Sequence, residues 1–122
     1  MKRLVWRWCT VGLWMGGIFA LSAIPALASP LAPSYDFLLR KLAHLVEYAV
    51  LTILVFRAVR LHVGHNTLAW VLAALVTCGY AVSDEWHQTV VPGREGSFRD
   101  LGIDMLGIAG ACLLAHTGYV KA

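Results

Sequence analysis

The chain has 122 residues, of which 59% are hydrophobic and only 14% are charged, and its mean hydropathy is +0.68. Soluble domains carry charges at about a quarter of their positions, so this composition excludes a soluble domain and predicts an integral membrane protein. A membrane span needs about 20 mostly apolar residues, so about four spans use most of the chain and leave a single domain, residues 1–122. The formal net charge of +3 does not indicate nucleic-acid binding, because the basic residues flank apolar segments and form no stripe.

The first predicted span covers residues 4–28. Lys2 and Arg3 precede it, and the tryptophans in its first turns are typical of the interfacial anchors of a membrane helix. The small residues at 26–28 also fit a secretory signal with a cleavage site. We favour an uncleaved span because the apolar stretch is long, and both interpretations give the rest of the chain the same orientation.

The second predicted span, residues 38–61, follows a loop at residues 29–37 in which prolines interrupt helix. At about 100° per residue, the polar residues in its first half occupy neighbouring positions of one helix face. This polar stripe consists of Lys41, His44, Glu47 and Tyr48.

A short linker, residues 62–66, makes the second and third spans antiparallel neighbours. The third predicted span, residues 67–88, is apolar at first and polar from Tyr80 onward. Its end opens the most polar stretch of the chain, residues 83–94. The linker histidines, His62 and His65, have no third ligand nearby in sequence, and we expect them to be solvated.

The last predicted span, residues 98–119, follows a loop at residues 89–97. Asp100 and Asp104 lie four positions apart and therefore share a helix face, which Gly107 continues. Small residues of the kind that allow membrane helices to pack closely surround this position. They are Gly107, Ala109, Gly110 and Ala111.

The predicted fold is all-α, a polytopic membrane helical bundle of about four spans. Six of the ten basic residues lie on the side of the termini, so the positive-inside rule places both termini in the cytoplasm. All seven acidic residues lie on the opposite side. Because alternate spans run in opposite directions, the start of the second, the end of the third and the start of the fourth share one level. Their polar residues should converge in the outer half of the bilayer.

Two interpretations of this convergence differ in function. Ion pairs of Lys41 or Arg94 with the acids would hold the bundle together. However, about ten polar groups from three spans exceed what helix packing in a membrane requires, and an ionisable residue there costs roughly 3 kcal/mol. We therefore expect a functional site.

Three motifs carry the polar residues: Lys41-x-x-His44-x-x-Glu47-Tyr48, Ser83-Asp84-Glu85-x-His87-Gln88-x-x-Val91-Pro92-Gly93-Arg94, and Asp100 with Gly107. Together they resemble the VanZ-like family of small bacterial membrane proteins, over residues 37–110. The chain departs from the family at Asp104, where Asn is usual, and at Arg40, where an acid is frequent. The resemblance implies a multi-pass protein of the bacterial cytoplasmic membrane and a role in low-level resistance to the glycopeptide teicoplanin.

As an enzyme, the protein would apply histidine and carboxylate chemistry to an amphiphile. The candidate catalytic residues are His44 and His87 as general base or acid, with Glu47, Asp84 and Glu85 as carboxylates in a low dielectric. Ser83, Asp84 and His87 are also helix neighbours, so that a hydroxyl, a base and an orienting carboxylate could cluster as in a catalytic triad. The candidate substrate-binding residues are Lys41 and Arg94, which suit a phosphate or carboxylate, and Tyr48, Ser83, Gln88, Asp100 and Asp104. The expected partner is a membrane lipid or a lipid-linked cell-wall precursor of the envelope.

Three alternatives stay open. The histidines and acids offer enough ligands for a divalent metal ion, but no His-Glu-x-x-His pattern is present, so a metal is not favoured. The pocket could bind a lipid or a lipid-tailed antibiotic without catalysis. The acids and histidines could also relay protons in a small transporter, for which four spans without internal repeats would require a homo-oligomer.

Overall fold

The computed structural model describes residues 1–24, 33–94 and 96–118, which form four α-helices and no β-strand. This confirms the predicted all-α bundle. The candidate cleavage residues 26–28, Glu95 and residues 119–122 lie outside the described part of the chain. The helices are α1 (Lys2–Ala23), α2 (Pro33–Val59), α3 (Asn66–Thr89) and α4 (Phe98–His116).

Three of the four helices are long and apolar enough to cross a membrane: Lys2–Ala23, Ser34–Val59 and Asn66–Thr89. The fourth, α4, differs because it carries Asp100 and Asp104 beside a further charge in its first two turns. At about 1.5 Å per residue it still extends roughly 28 Å, close to the ~30 Å hydrocarbon core of a bilayer. The protein is therefore a helical membrane protein, and the cytoplasmic location of its termini stays a prediction from the basic residues.

Many large apolar side chains lie on the outside of the bundle, and small side chains of α3 lie between the helices. Leu13 and Trp86 are 74% and 75% exposed, which costs little in a membrane because lipid tails are as apolar as leucine. On α3, by contrast, small side chains at four-residue spacing are fully buried, so that neighbouring helices approach its backbone. These residues are Ala69, Ala73, Thr77 and Ala81.

The central helix is α2, which packs against each of the other three. It begins at Pro33, whereas the sequence predicts a start at residue 38, so the end of the predicted loop at residues 29–37 is helical. Proline is accommodated at the start of a helix because its missing N–H would have no helical partner there. Asp36 adds an ion pair with Arg40 at 2.8 Å, one turn along the helix.

Helix α4 lies directly against the backbone of α2 at Gly107. A Cβ atom at this position would collide with the carbonyl group of Leu45 and lie 3.3 Å from the backbone nitrogen of Ala49. At Gly110, one turn further along α4, a Cβ atom would meet nothing within 4 Å. The predicted close packing is confirmed at Gly107, and Gly110 takes no part in it.

Candidate functional site

Two pairs of polar side chains join the first half of α2 to the first two turns of α4. Nδ1 of His44 lies 2.9 Å from Oδ1 of Asp104, whose side chain is fully buried. One turn closer to the start of both helices, Lys41 forms an ion pair with Asp100. Lys41 and His44 of the polar stripe therefore face the acids of α4, whereas Tyr48 contacts Asp84 of α3.

Asp84 links α3 to α2 and α1 through a buried network. Its Oδ2 atom accepts a hydrogen bond from the Tyr48 hydroxyl at 3.0 Å and a longer one from the Gln88 amide at 3.4 Å. The same amide group donates to the Ser22 hydroxyl of α1 at 3.3 Å. All four side chains are buried, so this network fixes the position of Asp84 from three helices.

Glu85, the next residue, is held by the loop that leads into α4. Its Oε2 atom accepts a hydrogen bond from the backbone N–H of Ser97 at 3.1 Å. Ser97 is the N-cap of α4, and its hydroxyl accepts from the N–H of Asp100. Gly96 allows the approach, because a Cβ atom there would lie 2.6 Å from both the Glu85 carbonyl oxygen and the Thr89 methyl carbon. The backbone N–H of Ser97 thus fixes one carboxylate oxygen of Glu85.

Within the described part of the chain, Asp84, Glu85 and Asp104 each have one carboxylate oxygen that makes no hydrogen bond. Among the described residues, Oδ1 of Asp84, Oε1 of Glu85 and Oδ2 of Asp104 are buried and have no hydrogen-bond partner. A buried acceptor without a partner costs about 1–3 kcal/mol, and more when it is charged. The three carboxylates have more acceptor atoms than nearby donors, which favours a site that receives a positively charged group over a set of mutually satisfied ion pairs.

One ligand atom from each of His44, Glu85 and Asp104 lies within 4.8 Å of the other two. These residues come from α2, α3 and α4, so the group is a product of tertiary packing. Imidazole nitrogen and carboxylate oxygen are the ligand types that zinc and manganese accept. The arrangement is therefore chemically able to hold a divalent metal ion.

An open groove of about 260 Å³ reaches His44 from the side of α1 and α2. At its edge, Arg94 donates hydrogen bonds to the backbone carbonyls of Ile24 at 3.1 Å and Leu21 at 3.0 Å. A cation is stabilised there by the dipole of α1 as well. The groove is lined by Leu21, Ser22, Leu39, Arg40, Ala43, His44, Glu47 and Arg94.

Two predicted site residues, Ser83 and His87, make their contacts elsewhere. Ser83 is exposed, and its hydroxyl donates to the carbonyl of Tyr80 at 2.8 Å. The His87 ring stacks on Phe19 of α1, with 4.4 Å between ring centroids. In residues 33–94, Ser83, Asp84 and His87 share no hydrogen bond, so the structure does not show the triad arrangement that their spacing suggests.

Three residues that shape the site were absent from the sequence prediction: Ser22, Gly96 and Ser97. A signal for Ser97 exists, because a serine three positions before an acid at the start of an apolar run is typical of a helix N-terminus. Ser22 has no such signal, since its contact with Gln88 depends on how α1 packs against α3.

Residues 6–119 match the model of a protein family described as VanZ/LLP1. The match includes His44, Glu85, Asp104 and every residue that lines the groove. It also extends the sequence resemblance to α1. No curated protein and no solved structure matches the chain.

Proposed function

The chain belongs to the VanZ/LLP1 family, and from this premise we propose that it binds the anionic head of a cell-envelope amphiphile in the groove beside α1 and α2. The amphiphile is a phospholipid or a lipid-linked cell-wall precursor. The observation that carries the proposal is the lining of the groove, where Arg94 and His44 stand next to the apolar side chains of Leu21 and Leu39.

Arg94 is suited to hold the anionic head. A guanidinium group has five N–H donors, and Arg94 gives its Nε–H and an Nη2–H to the carbonyls at the end of α1. These bonds orient the planar group and leave about three N–H donors for the oxygens of a phosphate or carboxylate. Because Arg94 is already ordered, little side-chain entropy is lost when the head binds.

The size of the groove fits a head group better than a whole lipid. Pockets that enclose a drug-sized ligand have volumes of roughly 300–1,000 Å³, whereas this groove has about 260 Å³. Leu21 and Leu39 are each about half exposed beside it, so an acyl or polyprenyl tail can lie along them in the lipid. The head then lies in protein and the tail stays in the membrane.

His44 is the residue that connects this groove to the buried acids. It lines the groove, and its Nδ1 atom contacts Asp104. A carboxylate beside one imidazole nitrogen sets the orientation of the ring. We propose that His44 acts on the bound head from this position, with Asp104 as its positioning residue.

A binding experiment tests the proposal. Purified protein in detergent is mixed with a polyprenyl phosphate, phosphatidylglycerol or phosphatidylcholine, and bound lipid is measured by native mass spectrometry. Arg94→Gln should weaken binding of the two anionic amphiphiles by about tenfold or more, since a charge-assisted hydrogen bond contributes about 1.5–3 kcal/mol. Arg57→Gln is the matched control, because Arg57 is exposed at the opposite end of α2. Equal binding by the two variants would contradict the proposed site.

A second experiment on the same site distinguishes catalysis from binding. If the protein is an enzyme, the wild type converts the head group and His44→Gln does not, as measured by mass spectrometry of the recovered lipid. A binding protein returns the lipid unchanged in both cases. The cellular effect we propose from the family resemblance is lower susceptibility to teicoplanin, whose lipid tail would fit beside α1, than to a glycopeptide without such a tail.

A further inference from the structure

We propose that His44, Glu85 and Asp104 bind one divalent transition-metal ion, zinc or manganese, where α2, α3 and α4 meet. The role of this ion in amphiphile binding rests on the proposed function above. The ion site itself is argued from the positions of the three side chains.

The distances suit an ion of this size. Zinc and manganese bind nitrogen and oxygen ligands at about 2.0–2.2 Å, so adjacent ligands of one tetrahedral ion are about 3.4 Å apart. One ligand atom from each of the three side chains lies within 4.8 Å of the other two. A contraction of up to about 1.4 Å by side-chain rotation would complete the site.

The atoms that would bind the ion are those that the protein leaves unsatisfied. Asp104 is fully buried and Glu85 is 7% exposed, yet Oδ2 of Asp104 and Oε1 of Glu85 have no hydrogen-bond partner within the described residues. Burying two such oxygens is costly. A divalent cation satisfies both of them at once, together with the lone pair of the His44 imidazole.

One of the proposed ligands is also oriented by a hydrogen bond from the main chain. Metal-binding carboxylates in proteins are usually oriented by a hydrogen bond to the oxygen that does not bind the metal. Glu85 has this arrangement, because its Oε2 accepts the N–H of Ser97 at 3.1 Å. The nearby Lys41 forms its ion pair with Asp100, which is not one of the three ligands.

A cation also resolves a conflict of charge within the proposed function. The side chains of Glu47, Asp84, Glu85 and Asp104 are gathered at this level, and an anionic head entering the groove would be repelled by them. A divalent ion bound by His44 reduces this repulsion. His44 is the shared residue, because it lines the groove and belongs to the ligand set.

The ligand set favours particular ions. One imidazole and two carboxylates suit zinc or manganese, whereas calcium takes six to eight oxygen ligands and magnesium keeps most of its waters. Zinc should bind more tightly than manganese, following the usual order of divalent ions.

The test is a metal titration of the full-length protein. Protein freed of metal by a chelator is titrated with Zn²⁺ and Mn²⁺ by calorimetry, and the bound ion is counted by elemental analysis. We expect one ion per chain. Asp104→Asn and Glu85→Gln should weaken binding by more than the roughly 10–100-fold that loss of an outer-shell partner costs.

Two matched variants control for other binding. Asp36→Asn removes an acid of α2 that is paired with Arg40, and His65→Gln removes an exposed loop histidine. Both should bind the ion like wild type. Failure of wild type to retain either ion at 100 times the protein concentration would overturn the metal site, and this measurement does not depend on whether any variant folds. Equal affinity in wild type, Asp104→Asn and Glu85→Gln would overturn it too.

Lipid binding measured with and without Zn²⁺ distinguishes this inference from the proposed function. Tenfold or stronger retention of a polyprenyl phosphate with the ion supports both. Lipid binding by a protein that takes up no ion overturns the metal site and leaves the proposed function standing. Ion binding by a protein that retains no anionic amphiphile supports the metal site and overturns the proposed function.

Discussion

Gly107→Ala should separate α4 from α2 and disturb the contact of His44 with Asp104 between these helices. The new methyl group would point into the main chain of α2, where the Leu45 carbonyl lies closer than the 3.0 Å limit of real Cβ contacts and its carbon lies at 3.2 Å. No side-chain rotation relieves a contact with backbone atoms. Restoring an ordinary contact of about 3.5 Å requires the helices to move apart by roughly 1 Å.

The cost of that movement follows from the structure. Overpacking of this kind destabilises a core by about 1–3 kcal/mol. A shift of about 1 Å would also carry the His44–Asp104 contact from 2.9 Å beyond hydrogen-bonding distance. We therefore expect lower stability and weaker binding of both the metal ion and the anionic lipid.

Gly110→Ala provides the matched control. It makes the same chemical change on the same helix, one turn further along, where a Cβ atom meets nothing within 4 Å. Alanine there should be neutral or stabilise the helix by up to about 1 kcal/mol. Stability is measured for both variants by denaturant unfolding in detergent micelles. Equal stability of Gly107→Ala and Gly110→Ala would refute the close crossing of α2 and α4.

Three further outcomes are expected. Tyr48→Phe should destabilise the protein by about 1–3 kcal/mol in the same unfolding assay, because the Oδ2 atom of Asp84 keeps only the longer bond from Gln88; an unchanged stability would contradict the buried network. Gly96→Ala should weaken zinc binding in calorimetry by roughly tenfold, because the methyl group collides with the carbonyl of Glu85 and displaces the loop. Gly102→Ala, at a position with open space, should bind zinc like wild type, and equal loss in both variants would contradict this role of the loop. Reporter fusions at each terminus should locate both in the cytoplasm, and an exported terminus would reverse the predicted orientation.

The helices and their meeting level could be predicted from the sequence because both follow from simple rules. Apolar length predicts the spans, and antiparallel packing brings the start of α2, the end of α3 and the start of α4 to one level. The contact of His44 with Asp104, which are 60 residues apart in sequence, follows from these rules and from the polar stripe. Predictions of this kind depend on which residues share a helix face, which repeats with the helical period, and on their depth, which follows from the rise per residue.

The individual partners could not be predicted, because they depend on rotation and close packing. Arg94 could have paired with an acid, but it binds main-chain carbonyls at the end of α1. His87 is one turn from Asp84 in sequence, yet it stacks on Phe19 of α1. Helical spacing does not show how far each helix is rotated toward its neighbours.

The proposed site has two parts that different helices supply, an apolar part beside α1 and a polar part in α2, α3 and α4. Helix α1 is fastened to its neighbours by polar bonds, such as those of Trp14 to the Glu47 carbonyl and of Tyr80 to the Met15 carbonyl, and it supplies Leu21 and Ser22 to the groove. The acids and His44 belong to α2, α3 and α4. Substitutions of the Leu21 side chain would therefore change which tails are accepted without removing a polar contact of the head site, so selectivity and reactivity can evolve separately.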